Sequence, residues 1–225
     1  MLFFSPAYLL FVVLPSMLIA FWAQFKVSAA MNKYSRIPNK QGLSGAQAAE
    51  QILRYNGISG VTISTTHSFL GDHYDPVKHE LCLSPKVYNG HSISAVGIAA
   101  HEAGHALQQA HAYAPLALRS AILPLAAVSN FAWPILILGI FMRQPMLINV
   151  GIIIFMFLVL LQCINLPVEY NASRRARQAL IQYGIIDQDE LNGVKDVLSA
   201  AALTYVAAAL GSILQLLWLL GFRRS

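Results

Sequence analysis

Charge is scarce in this chain. Asp, Glu, Lys and Arg make up 11% of the 225 residues, whereas hydrophobic residues make up 56%. A water-soluble domain carries about 25% charged residues, so water alone cannot be what this surface faces. Cysteine is nearly missing: Cys82 and Cys163 are the two present. Neither has C-x-x-C spacing, which excludes a thiolate metal cluster, and Cys163 sits in an apolar run, which argues against a disulfide framework. Acidic residues are outnumbered, 10 against 15 Lys and Arg, for a formal net charge of +5. No aromatic-and-basic strand pattern accompanies that excess, so nucleic acid is not an expected partner. The basic residues flank apolar runs, as they do beside membrane spans. Repeats and low-complexity tracts are absent too.

What the chain has instead is four long apolar runs, at residues 2–25, 121–142, 146–166 and 197–222. About 20 apolar residues cross the ~30 Å hydrocarbon layer as a helix, so the expected architecture is an α-helical integral membrane protein with four transmembrane helices. No Lys or Arg precedes the first run, and it is longer than the apolar core of a signal peptide. It reads as an uncleaved anchor, although "VSAA" follows it. Pro15, Pro124 and Pro134 fall inside the runs, where neighbouring helices can satisfy the carbonyls they free. Only "RQP" parts the second run from the third, which makes those two a tight hairpin. Small residues in the fourth, "SAAALTYVAAALG", permit close helix packing within one chain or in a homo-oligomer.

Two segments remain outside the spans, residues 26–117 and 167–196. A hairpin that crosses twice returns the chain to the face it left, so both segments share that face. It bears Lys26, Lys33, Arg36, Lys40, Arg119, Arg174, Arg175, Arg177 and Lys195, against Arg143, Arg223 and Arg224 on the other. The excess predicts cytoplasmic segments and outward termini. Within the first segment a helix should start at Ser44, with Gln47 completing a capping box and Gly57 ending it. "VTISTTH" and "HELCLS" alternate like strands. "FLGDHYDPVKHE" reads as a turn, and a helix is expected from about Ser92 to His111.

That last helix carries "VGIAAHEAGHALQQAHAYAPL". His101 and His105, four residues apart, share one helix face, the spacing at which two imidazoles close on a single tetrahedral zinc. Glu102 is rotated about 100° away, off the metal, where its carboxylate can act as general base toward an attacking water. His111 stands ten residues after His101, as in the H-E-x-x-H-x-x-G-x-x-H pattern. However, Gln108 occupies the position where that pattern needs a helix-breaking glycine. A continuing helix carries His111 about 9 Å along the axis from His105 and onto another face, so it is the weaker candidate. Glu169, in "NLPVEYNASRRARQAL" just past the third run, is the stronger third ligand, opening an amphipathic helix after Pro167. It completes a His₂Glu set, one Zn²⁺ per chain. Asn171, Ser173 and Arg174 then become residues supporting the ligands or lining the cleft. Tyr88, His91, Tyr170 and Arg174 are candidate donors to a developing oxyanion. "HELCLS" and "PKVYNG" are the nearest places for a substrate to add as a strand. Asp72, His73 and Asp75 read as a hydrogen-bonded turn rather than a second metal site.

The segments "DHYDP", "LSPKVY", "AAHEAGHALQ" and "PVEYNASRRA" resemble the YugP-type neutral zinc metallopeptidases of bacterial membranes. They are similar, more distantly, to HtpX-type membrane proteases. The likeness extends over nearly the whole chain. It implies a small α+β zincin-like domain of gluzincin type with His101, His105 and Glu169 as zinc ligands and Glu102 as base. At Asn171 the sequence departs from the acidic residue that many members carry. The expected protein is therefore a zinc metalloendopeptidase of the bacterial cell membrane, acting on membrane or membrane-proximal proteins. An intramembrane protease and a catalytically silent membrane scaffold or chaperone are the rival readings.

Overall fold

The computed structural model describes residues 5–67 and 71–222. The start of the first apolar run, Phe69 and Leu70 of the turn-like stretch, and Arg223 and Arg224 lie outside them. The chain is mostly helical. Helix α1, Pro6–Tyr34, is capped by the Ser5 side chain, which accepts from the Tyr8 amide. It widens to a π-helical turn over Leu9–Val13. Pro15 accounts for the widening, because its ring pushes against the carbonyl four residues back, that of Phe11. Helices α2 (Gly45–Tyr55), α3 (Pro85–Tyr88) and α4 (Ile93–Ala110) follow, with strands β1 (Thr62–Thr65), β2 (His73–Asp75) and β3 (Glu80–Leu83) between α2 and α3. Helices α5 (Ala114–Val128), α6 (Ala132–Phe141), α7 (Pro145–Gln182) and α8 (Leu191–Phe222) complete the chain.

Among the described residues three helices, α1, α7 and α8, are long and apolar enough to cross a membrane. The second apolar run is instead a bent pair, α5 and α6, meeting at 47° across a 3-10 turn. Pro134 follows four residues after Asn130 of that turn, and in a continuous α-helix its ring would clash with the Asn130 carbonyl. Whether the pair counts as one span sets the total at three or four. The amphipathic helix expected to open after Pro167 is not a separate element. Pro167 lies inside α7, and the helix tolerates the one hydrogen bond it loses.

The contacts divide the chain into two compact units. One comprises Met1–Gln24, Ala117–Pro167 and Leu203–Ser225. Its core gathers Leu136, Ile152, Phe155 and Leu219, and the α6–α7 hairpin closes as tightly as "RQP" implies. A Cβ on Gly139 would stand 2.8 Å from the Ile148 nitrogen, so only glycine fits. Gly211 of α8 packs beside Ser16 of α1, which uses the small residues of the fourth run within the chain. Phe11, Leu18, Phe21, Phe141, Ile153 and Leu217 stay exposed, an outward apolar surface suited to lipid.

The second unit is Phe25–Leu116 with Val168–Ala202. Its sheet runs β1-β3-β2, β1 parallel and β2 antiparallel to β3. β3 is central, with Leu81 and Leu83 fully buried among Ile52, Val96, Leu180 and Ile185. The Ser44 and Gln47 capping box forms as expected, and Gly57 takes a left-handed φ of 68° beyond the helix end. Two local readings are corrected. "DHYDP" opens a strand before it turns, because β3 offers its third residue Cys82 as partner to His73. "PKVY" is a short helix rather than a strand, since Pro85 at its first position pre-sets helical φ.

Candidate metal centre

The expected helix from Ser92 to His111 is α4. Ser92 caps it, its Oγ accepting from the Ala95 amide at 3.2 Å, and Ala112 leaves it with φ 48°. His101, Gly104, His105 and Gln108 fall on one stripe of α4. Gly104 lets that stripe meet α7 at backbone distance: a Cβ there would lie 2.6 Å from the Ala172 carbonyl oxygen. On α7 the matching stripe is Glu169, Ala172 and Ser173. The two helices therefore press both histidines against Glu169.

Among the described residues, His101, His105 and Glu169 bring one ligand atom each to within 4.8 Å of one another. His101 Nε2 is 3.1 Å and His105 Nε2 3.6 Å from Glu169 Oε2. Two ligand atoms bound about 2.1 Å from one tetrahedral zinc lie about 3.4 Å apart, so both spacings fit that ion. The donor set fits as well, two imidazoles and one carboxylate that is 2% exposed. A carboxylate so deeply withdrawn from water needs a cation or protonated partner. The other ring nitrogens are engaged: His101 Nδ1 with Ser173 Oγ at 3.1 Å, and His105 Nδ1 with Gln108 Oε1 at 3.0 Å.

Glu102, one residue on from His101, is buried off the ligand stripe. Burial pushes its carboxyl up to about 7, with His101 opposing, Glu169 and Asp72 adding, and His73 opposing again. A carboxyl with that value exchanges protons at neutral pH, which general acid–base work requires. The charges of Asp72 and His73 thus reach the site from the start of β2. Asp72 also accepts from the Ser84 amide, and Asp75 from the Val77 and Lys78 amides, the hydrogen-bonded turn that "DHYDP" implied.

The remaining candidates scatter. Asn171 Oδ1 accepts from Gln108 Nε2 at 3.1 Å and from Arg175 Nε at 2.8 Å. His111, at the C-cap of α4, is exposed and accepts from Arg175 Nη1 at 2.8 Å. It is not one of the converging ligands. Tyr88 and His91 line a cavity of about 910 Å³ beside α2, whose walls do not include His101, His105 or Glu169. Tyr170 and Arg174 are exposed on α7. Sequence reasoning missed Gln108 as a partner of His105. The available signal was its spacing, three residues after one histidine and seven after the other, on a face that had to be buried.

A family model described as "Putative neutral zinc metallopeptidase" matches residues 9–224. The "Putative membrane protease YugP" of Bacillus subtilis (strain 168) is 46% identical over 209 residues, covering 92% of this chain and 93% of that protein. No solved structure matches the chain. With a family match over almost the full length and a relative this similar, the chain belongs to the neutral zinc metallopeptidase family.

Proposed function

We propose that this chain is a membrane-embedded zinc metalloendopeptidase of gluzincin type, cutting membrane or membrane-proximal proteins at the cytoplasmic face of a bacterial membrane. The convergence of His101, His105 and Glu169 beside a buried Glu102 carries the reading. His101 and His105 of α4 and Glu169 of α7 hold the ion. Zinc supplies Lewis acidity toward a scissile carbonyl and toward water. Glu102 takes the proton of the attacking water and hands it to the departing amine, a transfer its poise near neutrality supports. Ser173 and Gln108 orient the imidazoles by their Nδ1 atoms.

Strand addition of substrate needs a different place from the one first expected. Both sides of β3 are occupied, by β1 and β2, so "HELCLS" offers no free edge. β2 is an edge strand, and it is fixed to α4: Tyr74 Oη donates to Gln109 Oε1 at 2.6 Å, and Gln109 Nε2 donates to the Pro76 carbonyl at 3.0 Å. An extended backbone laid along β2 would run past the metal helix.

The test is Glu102→Gln in full-length protein reconstituted into liposomes with a membrane-tethered peptide. Hydrolysis is expected to fall about 10²–10⁴-fold while bound zinc stays at the wild-type level. Undiminished cleavage by that variant would contradict the role given to Glu102. A wild type that binds zinc but cleaves nothing would favour the scaffold reading.

A further inference from the structure

Gln108 is fully buried, both of its polar atoms have partners, and the chemistry of those on Nε2 is fixed. Its Nε2 donates to the Val168 carbonyl at 2.7 Å. A backbone carbonyl only accepts, so the amide must turn its nitrogen toward α7. The oxygen then faces His105 Nδ1, at 3.0 Å. An amide oxygen also only accepts, so that Nδ1 must carry the hydrogen. Neutral His105 is left with its lone pair on Nε2, the atom 3.6 Å from Glu169 Oε2 and turned into the ligand cluster. The second hydrogen of Gln108 Nε2 goes to Asn171 Oδ1. Asn171 is oriented in turn by Arg175, whose guanidinium can only donate.

We infer that Gln108 is a positioning residue that holds His105 in its Nδ1–H tautomer before any metal arrives, with the Val168 carbonyl of α7 as the fixed point. The inference rests on the His₂Glu reading above and adds how the site stays open to an ion. If Nε2 carried the hydrogen, His105 could donate it to Glu169 and close the cluster on itself. His101 is held the other way round: its Nε2 lies 3.1 Å from Glu169 Oε2, which only accepts, so that nitrogen carries the hydrogen until an ion displaces it. Its Nδ1 partner is the Ser173 hydroxyl, which can either give or take a hydrogen. One imidazole is therefore preset and the other convertible.

The experiment uses full-length protein in detergent, ¹⁵N-labelled at histidine and stripped of metal with EDTA. Histidine ring spectra report the tautomer, and His105→Asn assigns the signal. Zinc affinity is read by competition with a chromophoric chelator. Metal-free wild type is expected to show His105 as Nδ1–H. In Gln108→Met, of equal length but without the amide, the Nε2–H form should appear and zinc affinity should drop about 10–100-fold. An Nε2–H His105 in the wild type overturns the inference without recourse to any variant. So does a Gln108→Met that folds and keeps both tautomer and affinity. If His105→Asn binds zinc as tightly as wild type, the His₂Glu reading itself fails, which the tautomer spectra distinguish from failure of the Gln108 role.

Discussion

Ser173 and Gln108 meet the Nδ1 atoms of the two histidines with different chemistry. The Ser173 hydroxyl sits on His101 Nδ1, and its loss would leave a partly buried ring nitrogen without its partner. Ser173→Ala is expected to weaken zinc about tenfold, measured by chelator competition, with little change in fold because only one hydroxyl is removed. Wild-type affinity in that variant would show that His101 needs no orienting partner. Residue types decided how much of this was readable in advance. His101, Glu102 and His105 announce themselves because few other roles explain two imidazoles and a carboxylate in so apolar a helix. The sequence favours Glu169 over His111 because helix geometry carries His111 away, and in the fold His111 accepts from Arg175. In the sequence Gln108 stands out only as the residue that keeps the helix going. An amide advertises no chemistry in a sequence, and its function lies in a carbonyl sixty residues further along the chain.

At the level of elements, the site depends on how closely α4 and α7 approach. Gly104 permits that approach, with the Ala172 carbonyl lying where a side chain would begin. Gly104→Ala must force the two helices apart, because the obstacle is backbone rather than the end of a flexible chain. A loss of about 1–3 kcal/mol in stability is expected, seen as a lower unfolding midpoint, together with weakened zinc binding as Glu169 withdraws from the histidines. A variant that keeps both would mean the helix contact does not set the ligand spacing. Helices α2 and α4 were legible from Ser44, Gln47 and Ser92, local caps that act within their own turn. β2 was not, since its three residues become a strand only when β3 lies alongside. The continuity of α7 through Pro167 was equally hidden, because proline marks a helix start or an interior kink with the same letter.

For the whole molecule, the question is whether the bent pair α5–α6 crosses the membrane. Residues 25–116 and 168–202 form one compact unit, and the proposed four-span topology requires the chain to return to the face it left, by a crossing pair followed by α7. With Cys163 replaced by Ser, an impermeant maleimide should label Arg143→Cys in intact cells and Lys40→Cys only after permeabilisation. Labelling of both under one condition would mean a re-entrant pair and a different topology. Span number was read from hydropathy, which counts apolar length and cannot detect the 47° bend. The central claim is nevertheless the metal centre, and zinc stoichiometry tests it most directly. Detergent-purified wild type and His111→Ala should each hold one zinc per chain, and His105→Ala and Glu169→Ala should lose it. Loss of zinc in His111→Ala with retention in Glu169→Ala would contradict the account.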